Sequence, residues 1–184
     1  DLNPVFEIAA GFSGQITFTL TAGGNGSCAD DSDDFILDVT PSVIVDAGDN
    51  DELCQTAGVV TYDFAADRTT AATSSNNNGT YSWAVSPLGS GTFSATNILS
   101  PEFDINAGFS GVLTFTLTAD GNGSCAPASD SFTVTVTPAV VVNAGDDAEI
   151  CQTTGVQTYA FNTRVTDATS SNNDGTYTWT ANPP

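Results

Sequence analysis

Four cysteines, Cys28, Cys54, Cys125 and Cys151, are the side chains of this chain best suited to covalent chemistry. They form two sets of equivalent positions, Cys28 with Cys125 and Cys54 with Cys151, each set 97 residues apart. Catalysis by them lacks support. Histidine is absent, so a Cys or Ser nucleophile has no usual base. Without histidine or a Cys-x-x-Cys pair, a zinc site is not expected either. Glu102 and Asp104 alternate along one strand face, but paired acids without a cleft are weak support for glycosidase work. What remains for the thiols is oxidation in an extracellular setting. Four cysteines allow three pairings. With two per repeat, Cys54–Cys125 is the first to expect, leaving Cys28 and Cys151 for partners beyond these residues or in another subunit. The alternative is Cys28–Cys54 with Cys125–Cys151, across repeat boundaries.

Carboxylates offer a second chemistry. Asp46, Asp49 and Asp51 with Glu52, and Asp146, Asp147 and Glu149, recur just after a repeat junction. Calcium takes six to eight oxygen ligands, so these groups are candidates for a clamp between repeats. The Asp30, Asp31, Asp33, Asp34 cluster has no counterpart after Cys125 and reads as a solvated loop. Asn25, Asn78 and Asn122 each begin an Asn-Gly-Ser/Thr triplet, which is both a glycan acceptor sequence and a hairpin turn. The fourth such position is Asp174. Arg68 and Arg164 share one repeat position and are expected to form structural ion pairs. No cofactor beyond calcium and glycan is expected.

Twenty-two acidic residues face two basic ones, for a net charge of −20. Such a surface excludes nucleic acid, whose phosphates need basic partners, and opposes binding to anionic membranes. No apolar run approaches the ~18 residues of a membrane-spanning helix.

The elements that must position these residues are strands. Leu113, Phe115 and Leu117 alternate with threonines, as do Phe132, Val134 and Val136, and Ile16, Phe18 and Leu20 repeat the first pattern. This is the period of a half-buried antiparallel strand. Val43–Val45, Val59–Phe64, Thr80–Val85, Thr92–Thr96 and Glu102–Asn106 are further strand candidates. Asp120-Gly-Asn-Gly and Gly23-Gly-Asn-Gly supply hairpin turns, and residues 65–79 read as a crossover loop. About seven strands in ~100 residues indicate an all-β, Greek-key β-sandwich, with Trp83, Trp179, Phe115 and Phe132 as core anchors.

Long near-identical repeats mark an array. Proline cannot donate to a sheet ladder, so Thr40-Pro41 and Thr137-Pro138 are the natural edges. Residues 1–41 are then the back half of one module, 42–138 a complete module, and 139–184 the front half of the next. Together the halves lack only the counterpart of Gly89–Asn97. Either these residues are a window on a longer chain, or the front half of one copy is completed by the back half of the next. Such head-to-tail complementation does not close and gives a filament.

One order of motifs recurs: Asp/Asn-Ala-Gly-Asp (46–49, 143–146), a Cys, Gly-Thr-Tyr-x-Trp, Phe-Thr-Leu-Thr-Ala-Asp-Gly-Asn-Gly-Ser-Cys, and Thr-Val-Thr-Val-Thr. It resembles the immunoglobulin-like and PKD-like tandem modules of large bacterial surface adhesins and extracellular fibres. The resemblance implies secretion and a stalk, filament or adhesion role without catalysis. Cys54 and Cys125 do not take the strand positions of the usual inter-sheet bridge of immunoglobulin domains. The expectation is thus an extracellular structural repeat protein whose partners are neighbouring copies of itself. Alternatives are a carbohydrate-binding module using loops such as 69–78, or a non-catalytic appendage of a secreted hydrolase.

Overall fold

The computed structural model describes residues 2–182. They form β-strands and one 3-10 turn, Phe161–Thr163, with no α-helix among the described residues. The all-β expectation holds.

The first two strands, β1 (Gly14–Ala22) and β2 (Asp31–Val39), make an antiparallel hairpin. Nine strands follow within residues 42–138. They are β3 (Ile44–Asp46), β4 (Asp51–Cys54), β5 (Val60–Asp63), β6 (Thr73–Ser75), β7 (Asn77–Ser86), β8 (Gly91–Phe93), β9 (Glu102–Ile105), β10 (Gly111–Gly121) and β11 (Ala128–Thr137). Two short strands close the chain, β12 (Val141–Asn143) and β13 (Thr169–Ser171).

The middle strands form two principal sheets. One has the order β4-β11-β10-β7, with β4 parallel to β11 and the other pairs antiparallel. The other has the order β5-β9-β8 and is antiparallel throughout. A β3-β6 ribbon stands beside them. Alternation decides what each sheet buries. Leu113, Phe115 and Leu117 are buried on β10, as are Phe132, Val134 and Val136 on β11, while the intervening threonines stay partly wet. Tyr62, Phe64, Phe103 and Ile105 complete the same cluster from the second sheet. Its rings meet edge to face, Phe64 on Trp83 at 4.9 Å and Phe103 on Phe115 at 5.0 Å. Each such pair adds about 1 kcal/mol beyond its buried area.

Two of the nine strands, β4 and β6, escape the sequence pattern. β4 is Asp-Glu-Leu-Cys, and it is a strand because β11 offers it a free edge. β6 lies inside the segment read as a crossover loop.

Among the described residues after 138, the strands are those of the β12-β13 ribbon, with the 3-10 turn Phe161–Thr163 between them. The counterparts of β4, β5 and β7 there are not strands. Likewise residues 5–8, equivalent to β9, remain irregular while the adjacent β1-β2 hairpin forms.

Candidate functional site

Exposed apolar side chains gather on the segments that flank residues 42–138. In the front half, Val140, Val142, Tyr177 and Trp179 line an open groove of about 430 Å³. Their counterparts in the complete module, Val43, Val45, Tyr81 and Trp83, pack into or against the core. Trp83 is 4% exposed and donates its indole N–H to the Ile98 carbonyl at 2.9 Å, whereas Trp179 is 55% exposed. Of the expected core anchors, Trp83, Phe115 and Phe132 are buried, and Trp179 lies open in the groove.

Residues 14–39 also expose apolar side chains. Phe35 is 63% exposed, although its counterpart Phe132 is 1% exposed. Leu20 and Leu37 are also exposed, where Leu117 and Val134 are buried. Phe6, Phe18 and Phe35 cluster on each other, with centroids 5.0 and 4.9 Å apart.

Arg68 shows how such a face is tied down once covered. Its guanidinium stacks 3.7 Å from the Phe132 centroid and donates to the Ala47 carbonyl at 2.5 Å. Next to this bond, the Ala47 amide donates to Asp130 Oδ2 at 2.8 Å. Burial holds Arg68 below its ordinary pKa, opposed by Tyr62 and by Asp49, Asp51 and Asp46. Where an ion pair was expected, the guanidinium's partners are the Ala47 and Asp49 carbonyls and the Phe64 and Phe132 rings. Arg164 reaches the Ala144 carbonyl in the same way. Its guanidinium lies 5.5 and 5.8 Å from the Phe161 and Trp179 ring centres.

The thiols sit at the Thr-Pro corners. Cys54 pairs in register with Thr137, and the next amide, Gln55 N–H, donates to the Thr137 carbonyl at 2.8 Å. Cys125 lies at the other corner, its Sγ 3.2 Å from Thr40 Oγ1 and 3.4 Å from the Pro41 carbonyl. The two thiols therefore lie at opposite ends of β11, a ten-residue strand about 30 Å long. A disulfide needs Cα atoms within about 7 Å, so the expected Cys54–Cys125 bridge is not made. All four cysteines are free. That each Thr-Pro corner has a thiol beside it needed the structure.

The candidate calcium ligands do not converge. Asp46 accepts from the Gly48 amide, Asp49 from the Thr70 hydroxyl, and Asp51 from Tyr62 Oη at 2.9 Å. Asp146 accepts from Thr166 in the equivalent place, and Asp147 and Glu149 lie on exposed backbone. No group of three potential ligands occurs among the described residues.

The candidate glycan acceptors are exposed, Asn25 and Asn122 at bends and Asn78 at the start of β7. The Asn25 and Asn122 carbonyls accept from Cys28 and Cys125, and Asn78 Oδ1 accepts from the Thr80 amide at 2.9 Å. Asp174 makes the same bond to Thr176, which holds its carboxyl below the usual range. Glu102 and Asp104 lie on the open outer face of β9, where Asp104 accepts from Thr61.

Comparison of the chain with protein-family models, curated proteins and solved structures finds no match. No helix among the described residues is long and apolar enough to cross a membrane.

Proposed function

We propose that this chain is an extracellular structural protein, a run of immunoglobulin-like Greek-key sandwiches that builds a stalk or filament. The observation that carries the reading is where the chain enters and leaves the complete module. It enters at Thr40-Pro41, against Cys125 and the turn at Gly123. It leaves at Thr137, at the far end of β11. Entry and exit at opposite ends stack successive modules end to end, which makes an extended object. A chain with adjacent ends would fold its modules side by side. The sheet orders β4-β11-β10-β7 and β5-β9-β8 support the Greek-key assignment, because consecutive strands repeatedly change sheets. The function is mechanical: a closed aromatic core resists unfolding in each unit, and the acidic surface keeps neighbouring stalks apart.

Lengthening the chain with extra copies of residues 42–138 tests this. Small-angle scattering should show the maximum dimension growing by a constant increment of about 30–40 Å per copy, the length of the β10-β11 hairpin. Growth that flattens with copy number would mean a compact cluster and end the stalk reading.

A further inference from the structure

We propose that Asn122-Gly123 is a site of spontaneous deamidation, at which water converts the asparagine to aspartate and isoaspartate, and that the fold holds the second Asn-Gly step of the same module, Asn78-Gly79, unreactive. The proposal stands apart from the array reading and does not need it.

The chemistry is internal to the dipeptide. Glycine after asparagine favours it, because no Cβ hinders ring closure. The Gly123 nitrogen attacks Asn122 Cγ. The N–Cγ bond forms, the Cγ–Nδ2 bond breaks, and the proton of the attacking nitrogen leaves with the amide as ammonia. The cyclic imide then takes up one water. Opening at Cγ gives aspartate. Opening at the main-chain carbonyl carbon gives isoaspartate, whose backbone is longer by one methylene. No oxidant or reductant enters.

As dipeptides the two steps are alike, and the structure separates them. Asn122-Gly123 lies between β10 and β11, and both residues are exposed. The hydrogen bond that closes this turn uses the Asn122 main-chain carbonyl, which accepts from the Cys125 amide at 3.2 Å. It leaves the groups that react, the Gly123 amide and the Asn122 carboxamide, open to water. The equivalent turn at Asn25-Gly26 closes in the same way, onto Cys28.

Asn78-Gly79 lies inside β7. The Gly79 amide donates to Asn77 Oδ1 at 2.7 Å, and Asn78 Oδ1 accepts from the Thr80 amide at 2.9 Å. Ring closure must take the proton out of the first bond and turn the carboxamide away from the second. Two such bonds slow it by about thirtyfold. The same pair recurs where asparagine is replaced by aspartate: Gly175 donates to Asn173 Oδ1 at 2.8 Å, and Thr176 to Asp174 Oδ1 at 2.9 Å. A carboxylate fits that place unchanged, so Asn78 is protected by the barrier and not by a misfit of its product.

The Asn122 turn has no room for a longer backbone. A Cβ on Gly121 would lie 1.7 Å from the Cys125 carbonyl oxygen, so the turn is folded closely on itself. It also seats Cys125, whose Sγ is 3.2 Å from Thr40 Oγ1. Isoaspartate at position 122 therefore opens the turn and draws Cys125 away from the Thr40-Pro41 corner.

The test keeps the reduced, folded 184-residue chain warm at mildly alkaline pH in heavy-oxygen water. Peptides are mapped by mass spectrometry, and isoaspartate is detected with an isoaspartyl methyltransferase. Asn122 should be lost with uptake of heavy oxygen, and Asn78 should lag by about thirtyfold. In urea the two should react at similar rates. No loss at Asn122, Asn78 keeping pace in the folded chain, or the same lag in urea would each overturn the proposal. Asn77→Ala removes the acceptor of the Gly79 amide and should speed Asn78 several-fold; an unchanged lag would refute the protection. Alkylation of Cys125 should quicken as isoaspartate accumulates, and should stay slow in Asn122→Gln. Equal rates in parent and variant would refute the link to the corner.

Discussion

The Arg68 guanidinium lies 3.7 Å from the centre of the Phe132 ring, at the mouth of the closed core. The same guanidinium sits under Gly48, whose φ is +88°. A Cβ at Gly48 would collide with Arg68 Nη2 and come within 2.5 Å of the Thr70 carbonyl oxygen. One cation thus ties the entering strand, the crossover loop and β11 together, and needs a glycine above it.

Arg68→Ala should lower the unfolding free energy by about 2 kcal/mol, since a desolvated cation–π contact and a packed stem are lost together. Gly48→Ala should cost at least as much. Gly79→Ala, at the same φ but with open space around it, should cost only about 1 kcal/mol. Urea denaturation of the three variants checks the order.

Tyr62 is buried, and its hydroxyl donates to Asp51 Oδ2 at 2.9 Å. Burial first, then the bond to Asp51 and that carboxylate's charge, push its pKa well above the ordinary value. A group whose folded pKa is raised contributes stability that is full below the unfolded pKa and is lost as pH rises. Stability should therefore hold up to about pH 10, the ordinary tyrosine pKa, and fall above it. Tyr62→Phe should flatten that alkaline fall, and should cost about 1 kcal/mol at neutral pH because Asp51 loses a donor. Urea midpoints measured across pH 7–11 decide it.

Phe132 and Phe35 are the same residue of the repeat in two settings. Phe132→Ala should cost about 3–5 kcal/mol, the usual loss for a buried phenylalanine. Phe35→Ala should leave the urea midpoint of the reduced monomer within about 0.5 kcal/mol of the parent, as exposed substitutions do. Equal losses would mean that the back half already packs on a core within its own chain.

The two tryptophans report on the open face. In the reduced monomer, acrylamide should quench Trp179 and spare Trp83, and Trp83→Phe should leave only the quenchable component.

The repeat and the strand class were legible in the residues alone. Alternation of Phe, Leu and Val with Thr is a local property, set by the two-residue period of a strand, and it assigned β10, β11 and their inward faces. Asp51–Cys54 carried no such signal, because a four-residue strand on a sheet edge is made by its partner's backbone. The same limit governed the thiols. Spacing along the chain put Cys54 and Cys125 in one module, and only the parallel pairing of β4 with β11 placed them at its opposite ends. Burial was decided there too: Trp83 and Trp179 share a motif, but a side chain is buried only when a distant segment covers it, and that is settled by which strands meet.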